Sequence, residues 1–146
     1  MQHAKEALPV TVLDELHTTG AGYDIIRYLG LPELLGAEAP TLLYFMGKNI
    51  ARKMDTESVS DVIYAFEKLG WGTLELIKEK KRELTFHLMS DSVVYKLNAP
   101  FDTDFRLESG FLAESIELLK DRTCECKEEI NKKIHMIEFT VVFTDE

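Results

Sequence analysis

The sequence predicts an α+β domain in which helices pack on one face of a mostly antiparallel sheet. Apolar residues recur every three or four positions over the first half of the chain, as far as Leu69, which is typical of helices. The period falls to two over Thr73–Leu88 and again over Ile134–Thr144, which is typical of strands. A helical period around Phe111 separates these two strand regions. The order of helices, two strands, a helix and a last strand therefore indicates the α+β class.

The N-terminal part is predicted to hold short helical segments. Residues 1 to about 10 are expected to be loosely ordered, and the first periodic segment covers Val12–Leu16. A short helix is predicted over Tyr23–Leu29. Gly30 and Pro32 are expected to end it, because glycine favours a helix C-terminus and proline cannot continue a helix.

Two longer helices are predicted next. The first covers Pro40–Met54, with proline in its first turn and four apolar residues on one face, namely Leu42, Met46, Ile50 and Met54. The second follows Ser58, which has Asp61 three residues later in a capping-box position, and it ends at Gly70. Both ends of the second helix are therefore specified locally.

The remaining chain leaves two segments open. Lys78–Arg82, between the first two strands, lacks Gly and Asn, which favours a solvated tip over a tight two-residue turn. Asp91–Asp104 is interpreted as a loop, with a third strand or a short helix around Val93–Tyr95 as alternatives. A helical stripe can be followed over Leu107–Ile130, so one long helix or two helices with a kink near Thr123 both fit.

The last strand, Ile134–Thr144, is long and is therefore expected to be central in the sheet. Its outward-facing Met136 and Val142 are less polar than a solvated face favours. We therefore expect a second chain to cover part of this face.

Composition and charge limit the classes of function. The chain has 146 residues, with 17 Lys and Arg against 26 Asp and Glu, a net charge of −9 and 45% hydrophobic residues. These values predict one globular domain over residues 1–146 and argue against nucleic acid as a partner. No apolar stretch reaches the roughly 20 residues of a membrane-spanning helix. Cys124 and Cys126 are expected to face different directions, with Cys124 exposed, which favours reduced thiols and a cytoplasmic protein.

Three residues of one predicted helix form a candidate anion site. Tyr44, Lys48 and Arg52 are spaced by four, so they project from the same face. Arginine binds a carboxylate or phosphate with two hydrogen bonds, and lysine adds a point charge. The alternative is that acidic residues of the later helix, such as Glu108 or Glu114, neutralise both cations.

A candidate pocket surrounds Trp71, which lies between Gly70 and Gly72, and it includes Phe111. Glycines allow a ligand or a neighbouring backbone to approach the indole ring. The alternative is that Gly70 ends a helix and that Trp71 is simply buried in the core.

Small residues are paired on two predicted helices, Gly47 with Ala51 and Gly110 with Ala113. Such residues let two backbones approach closely. They predict close helix packing, either within one chain or across a dimer.

No metal, cofactor or catalytic residue is predicted. Cys124, Cys126 and His135 are close in sequence, but a zinc site needs four ligands and no second pair lies nearby. His87 and His135 lie on predicted strands without a Ser or Cys nucleophile at a recognisable turn. The sequence therefore predicts a protein that is not an enzyme.

Three segments carry a resemblance to a known family: Tyr44–Lys53 (YFMGKNIARK), Gly70–Leu74 (GWGTL) and Leu107–Glu114 (LESGFLAE). Together they resemble the YslB-like family of Gram-positive bacteria, a domain of unknown function, over roughly Tyr23–Phe143. Gly110–Ala113 and the following strand are more distantly similar to the transport-particle (TRAPP) subunit fold and to vinyl-reductase-type ligand-binding domains. This similarity implies a small ligand or a partner protein, and dimerisation through helices.

The predicted function is that of a non-enzymatic cytoplasmic interaction domain, homodimeric, that binds a partner protein. The alternative is a sensor domain that binds an acidic or fatty small molecule. The residues expected around that ligand are Tyr44, Lys48, Arg52, Trp71 and Phe111.

Overall fold

A computed structural model describes residues 8–16 and 21–145. The strands are β1 (Leu8–Pro9), β2 (Met54–Asp55), β3 (Thr73–Glu79), β4 (Glu83–Met89), β5 (Cys124–Asn131) and β6 (Met136–Phe143). The helices are α1 (Gly22–Ile25), α2 (Leu31–Leu35), α3 (Ala39–Arg52), α4 (Val59–Lys68), α5 (Asp91–Leu97) and α6 (Arg106–Lys120). A π-helical turn, Ile26–Gly30, joins α1 to α2, and 3-10 turns cover Val10–Glu15 and Gly36–Glu38.

The main sheet has four antiparallel strands in the order β3-β4-β6-β5. The predicted α+β class is therefore confirmed, and the last strand is central as expected. On one face, Phe86 and Phe139 pair across β4 and β6 and belong to the same buried core as Phe111 of α6. The core thus lies between this face of the sheet and the helices.

The helix that begins near Tyr23 does not end at Gly30 or Pro32, so that prediction is wrong. The N–H of Leu31 donates to the carbonyl of Ile26, five residues back, in a π-helical turn. This extra residue places Pro32 in the first turn of α2, where its missing N–H costs nothing. The helical run ends instead at Gly36, whose φ of 71° favours glycine.

The order predicted for the first ten residues also needs correction. Residues 1–7 lie outside the described part of the chain. Leu8–Pro9 pairs in parallel with Met54–Asp55, and the N–H of Leu8 donates to the carbonyl of Lys53 at 2.6 Å. Val10 is buried in the core. Residues 8–10 are therefore ordered by contacts with the end of α3.

The helical stripe predicted to reach Ile130 is wrong beyond Lys120. Asp121 adopts a left-handed conformation with φ 55° and ends α6, and Cys124–Asn131 forms strand β5. Both thiols are buried on the same face of β5, because residues two apart on a strand share a face. The predictions that they face different directions and that Cys124 is exposed are therefore wrong.

Three other predictions can be compared with the structure. Ser58 caps α4 by accepting a hydrogen bond from the N–H of Asp61, as predicted. The segment left open as a loop, strand or helix is helical over Asp91–Leu97, where Ser90 provides the cap. Met136 is 8% exposed within the single chain, so it needs no second chain to cover it.

The buried face of α3 also differs from the predicted one. Leu42 is exposed and Met54 lies in β2, whereas Leu43, Tyr44, Gly47 and Ala51 are buried. Helix α3 is therefore rotated so that its small residues face α6. This orientation determines where the candidate site residues lie.

Candidate functional site

The small residues of α3 and α6 form a seam of close backbone contact, which we call the glycine seam and define by Gly47 and Gly110. A Cβ atom added to Gly47 would lie 2.8 Å from the backbone nitrogen of Phe111. A Cβ atom added to Gly110 would lie 2.8 Å from the carbonyl carbon of Tyr44. Ala51 and Ala113 are also fully buried. The structure therefore brings the two glycines together within one chain.

Tyr44 and Lys48 share one carboxylate. The Tyr44 hydroxyl donates to Glu125 Oε1 at 2.6 Å and accepts from the N–H of Cys126 at 3.0 Å. Lys48 Nζ lies 3.8 Å from Glu125 Oε2. Burial and the hydrogen bond to Glu125 raise the pKa of Tyr44. This side of α3 is therefore linked to strand β5.

Arg52 is paired separately. Its Nε donates to Glu114 Oε2 at 3.0 Å, and its Nη1 donates to Asn49 at 2.7 Å. The structure thus places a carboxylate of the chain itself beside each cation of the candidate anion site. Glu114 occupies the position that the alternative interpretation gave it, whereas Glu108 lies elsewhere.

Trp71 and Phe111 lie in the aromatic core. Their ring centroids are 5.2 Å apart, and both contact Phe66 edge to face. Trp71 is buried, and its Nε1 donates to the hydroxyl of Tyr23 at 3.2 Å. The five residues expected around a ligand are thus divided among the Glu125 contact, the Glu114 contact and this core.

A different group of residues has the features of a site, and we call it the buried polar cluster: Arg27, Tyr28, Lys96, Asp104 and Glu108. Four of the five are buried, and the side chain of Asp104 is 35% exposed. Arg27 follows the first residue of the π-helical turn and is 1% exposed. Its Nη atoms donate to both carboxylate oxygens of Asp104 at 3.0 and 3.2 Å, and Nη2 also donates to Glu108 Oε1 at 3.0 Å. One guanidinium therefore connects the N-terminal helices to the start of α6.

Four buried polar atoms of this cluster have no hydrogen-bond partner in the described part of the chain. They are Arg27 Nε, Tyr28 Oη, Lys96 Nζ and Glu108 Oε2. Both cations lie beside the ring of Tyr28, with Arg27 Cζ at 4.7 Å and Lys96 Nζ at 6.0 Å from its centroid. Buried polar groups are normally paired with protein atoms or ordered water, so several such groups in one cluster mark it as a candidate site.

The cluster is electrostatically unusual. Burial raises the pKa of the Glu108 carboxyl, against the opposing effects of Arg27 and Lys96. Burial lowers the pKa of Lys96, although the Glu108 carboxylate partly offsets this. Perturbed groups of opposite charge in one buried place are typical of functional sites.

Sequence reasoning did not find this cluster. A signal was present, because Arg27 stands within the apolar run from Ile25 to Leu31 and is its one charged residue. A charge inside an apolar helix face requires a buried partner. The partners, Asp104 and Glu108, are 77 and 81 residues away, and no local pattern connects them to Arg27.

Comparison with known proteins gives the family. The DUF2507 family, described as a protein of unknown function, matches residues 20–142. The chain belongs to the DUF2507 family. It is also 36% identical over 129 residues to the uncharacterized protein YslB of Bacillus subtilis, covering 88% of this chain and 87% of that relative. The resemblance to the YslB-like family is confirmed.

Two solved structures are similar to this DUF2507 chain to different degrees. A vinyl-4-reductase family protein from Methanocaldococcus jannaschii is similar with a TM-score of 0.65 and 17% identity, covering 93% of this chain and 88% of that one. A trafficking protein particle complex subunit 3 from Naegleria fowleri, covalently bound to palmitic acid, is similar with a TM-score of 0.48 and 10% identity, covering 93% of each chain.

The other candidate chemistry of this DUF2507 chain is limited. Within residues 8–16 and 21–145, no three His, Cys, Asp or Glu side chains are grouped so that they could hold a metal ion. His87 Nε2 lies 3.2 Å from Glu138 Oε1. Burial raises the pKa of Cys124 to about 12 and also raises that of Cys126, so both thiols stay protonated at neutral pH. No helix in the described ranges has the length and apolar character needed to cross a bilayer.

Proposed function

We propose that this DUF2507 chain is a non-enzymatic domain that acts by association, as a homodimer that binds a partner protein in the cytoplasm. The observation that carries the proposal is an exposed apolar surface on the N-terminal helices. The thiols of Cys124 and Cys126 are buried and form no disulfide bond, which supports a reducing compartment.

This N-terminal apolar surface consists of large side chains that are each at least 42% exposed. Its members are Ile25, Ile26, Leu29, Leu34, Leu42 and Phe45. They lie on consecutive helical segments, and α2 packs against α3. Single exposed apolar residues are ordinary, but a group of this size on adjoining helices is typical of an interaction surface.

Charge favours a second copy of the chain as the occupant. From Ile25 to Met46 the charged residues are Arg27, Glu33 and Glu38, and Arg27 is buried. Two chains of net charge −9 repel each other unless the contact keeps charges out. A surface depleted of charge meets that requirement, and charge depletion is characteristic of interface centres.

Sedimentation velocity at about 10 μM protein tests the dimer. We expect the wild type to sediment as a dimer and the variants Ile26→Glu and Phe45→Glu to sediment as monomers. Leu118→Glu is the matched control, because Leu118 is 54% exposed near the end of α6, ten residues beyond Glu108, the α6 residue that Arg27 contacts. A monomeric wild type, or dimers that persist in both surface variants, would contradict the proposal.

A second candidate function is the binding of an acidic or fatty small molecule. The observation that favours it is the buried polar cluster with its four unpaired atoms. Native mass spectrometry of the protein purified from its own cytoplasm tests this function. A bound organic molecule supports the sensor, whereas protein that is free of ligand supports the association domain.

A further inference from the structure

Residues 22–35, which we call the N-terminal arm, pack on the domain with a polar side inward. The arm consists of α1, the π-helical turn and α2, and its buried residues are Arg27 and Tyr28. Ordinary surface helices bury an apolar stripe and expose their charges. The aliphatic residues of the arm are exposed (Ile25, Ile26, Leu29 and Leu34) or half-buried (Leu31 and Leu35).

Arg27 connects this arm to the start of α6. Its guanidinium donates to both carboxylate oxygens of Asp104 and to Glu108 Oε1, at distances of 3.0 to 3.2 Å. A buried ion pair often adds little stability compared with apolar residues of the same size, but the planar guanidinium requires a specific geometry. These three side chains therefore determine where the arm lies more than how firmly it is held.

Detachment of the arm would hydrate polar groups that have no protein partner in the docked position. Arg27 Nε and Tyr28 Oη on the arm, Lys96 Nζ on α5 and Glu108 Oε2 on α6 are buried without a hydrogen-bond partner in the described ranges. Separation breaks no protein hydrogen bond at these four atoms and gives them access to bulk water. The docked and detached positions are therefore closer in free energy than they would be for an ordinary core helix.

The docked arm also completes the N-terminal apolar surface. Four residues of that surface lie on the arm, whereas Leu42 and Phe45 lie on α3. The two groups form one continuous surface only while the arm is docked. A dimer contact that uses both groups therefore depends on the position of the arm.

We propose that Arg27, Asp104 and Glu108 form a latch that holds the arm beside α3, and that opening of this latch removes the dimer surface. This inference rests on the proposed dimer. Because coupling between two equilibria is reciprocal, dimerisation in turn keeps the latch closed. Association then depends on one buried ion pair as well as on the apolar side chains.

The substitution Asp104→Asn tests the latch and leaves its buried cation in place. Asp104 Oδ1 also accepts from the N–H of Arg106 at the start of α6, at 2.9 Å. An amide keeps that contact only by turning its NH2 group towards Arg27, which is itself a donor. Asp104→Asn therefore opposes the latch and preserves the contact at the start of the helix.

Hydrogen exchange followed by mass spectrometry measures the opening of the arm. Its helical segments have four or five residues each and are not stable alone, so the amides of a detached arm exchange. We expect Asp104→Asn to speed exchange in residues 26–35 about tenfold or more, while residues 110–120 of α6 keep the wild-type rate.

Trp71 reports the same motion by fluorescence. It is the single tryptophan of the chain, and its Nε1 donates to the hydroxyl of Tyr23 on the arm at 3.2 Å. Detachment breaks this bond and admits water to the indole ring. We therefore expect the emission of Asp104→Asn to shift to longer wavelength than that of the wild type.

Asp145→Asn is the matched control. Asp145 accepts from Arg122 through both carboxylate oxygens, and Arg122 also donates to the carbonyl of Lys81 between β3 and β4. The substitution removes the same charge from a similar contact, so it should leave the exchange of residues 26–35 unchanged. If Asp104→Asn does not fold, as judged by circular dichroism, Glu108→Gln decides, since it removes the charge of the other latch carboxylate.

Sedimentation velocity separates failure of the latch from failure of the dimer. We expect the dissociation constant of the dimer to rise about tenfold in Asp104→Asn. Faster exchange of the arm in a protein that is monomeric even as the wild type would support the latch and contradict the dimer. Unchanged exchange in residues 26–35, or equal acceleration in α6, would overturn the latch in either oligomeric state. A detached arm in a dimer of unchanged affinity would overturn the coupling between them.

Discussion

Helix α6 carries two buried residues, Glu108 and Gly110, that are two positions apart and face unlike surroundings. Gly110 lies in the glycine seam, where the backbone of α3 fills the space that a side chain would need. Glu108 lies in the buried polar cluster, where one carboxylate oxygen binds Arg27 and the other has no partner in the described residues. The surroundings of Gly110 are therefore fully packed, whereas the carboxylate of Glu108 keeps one oxygen without a hydrogen-bond partner.

The contrast between the glycine seam and the buried polar cluster separates residues that serve packing from residues that are candidates for function. At the glycine seam the backbones of α3 and α6 pack directly on each other, and this close packing is explained by stability alone. The buried polar cluster keeps the two cations Arg27 and Lys96 and the carboxylate of Glu108 buried, at a cost that apolar residues would avoid. Departures from the usual rules of folding are expected where function requires them.

The largest effect is expected from Gly47→Leu in the glycine seam. The new side chain would meet the backbone of Leu107 and Phe111, which cannot rotate away, so the free energy of unfolding should fall by about 3 kcal/mol or more. Urea denaturation followed by circular dichroism measures the change. Gly22→Ala is the control, because a Cβ atom there meets nothing within 4 Å. An unchanged midpoint for Gly47→Leu would show that the seam tolerates separation.

The next effect concerns the centre of the buried polar cluster. Arg27→Met leaves Asp104 and Glu108 without their shared cation, and we expect a loss of about 3–5 kcal/mol in urea denaturation. Arg122→Met is the matched control, since Arg122 pairs with Asp145 near the surface and should matter little. Equal losses in the two variants would mean that burial gives Arg27 no special role.

Lys96→Met should have a smaller effect of opposite sign. It removes a buried ammonium group without a hydrogen-bond partner, so we expect a gain of roughly 1–2 kcal/mol at about pH 7 without ligand. Burial lowers the pKa of Lys96 below its usual 10.5. The gain in stability is therefore full at pH values below the lowered pKa, where Lys96 is charged in both the folded and the unfolded chain. It shrinks between the lowered pKa and 10.5, and it vanishes above 10.5. Denaturation at several pH values measures this trend. A less stable variant at neutral pH would show that the attraction between Lys96 and Glu108 outweighs burial.

The smallest effect is expected from a lysine-to-methionine substitution at Lys48, which belongs to the anion site that the sequence predicted. Lys48 Nζ lies 3.8 Å from Glu125, whose side chain is 61% exposed, so solvent screens the pair. Lys48→Met should therefore change the free energy of unfolding by about 0.5 kcal/mol or less. A change as large as that of Lys96→Met would remove the contrast between the two regions.

Much of the fold could be predicted because its signals are local. The cap at Ser58 and the left-handed Gly70 mark the two ends of α4, and both are present in the structure. One error, the helical stripe extended to Ile130, occurred where two periods coincide. Cys126 and Ile130 fit a helical stripe from α6 and also the alternation of β5, and the backbone of Asp121 decides between them.

The candidate site was less predictable, for a different reason. Tyr44, Lys48 and Arg52 share a helix face, so sequence spacing finds them, but their counter-ions come from β5 and α6. Trp71 was selected for its flanking glycines, yet the ring lies in the aromatic core. Spacing shows which side chains lie together on one element, and it says nothing about what faces them.

The sequence by itself determined the α+β class, the alternation of the main strands and the family, because these depend on residues near one another in the chain. The tertiary structure alone decided that Gly47 meets Gly110 and that Arg27 meets Glu108. Burial makes both contacts necessary, since a gap beside glycine or a lone charge in the core costs free energy. Which distant residues meet that need depends on the folding of the whole chain.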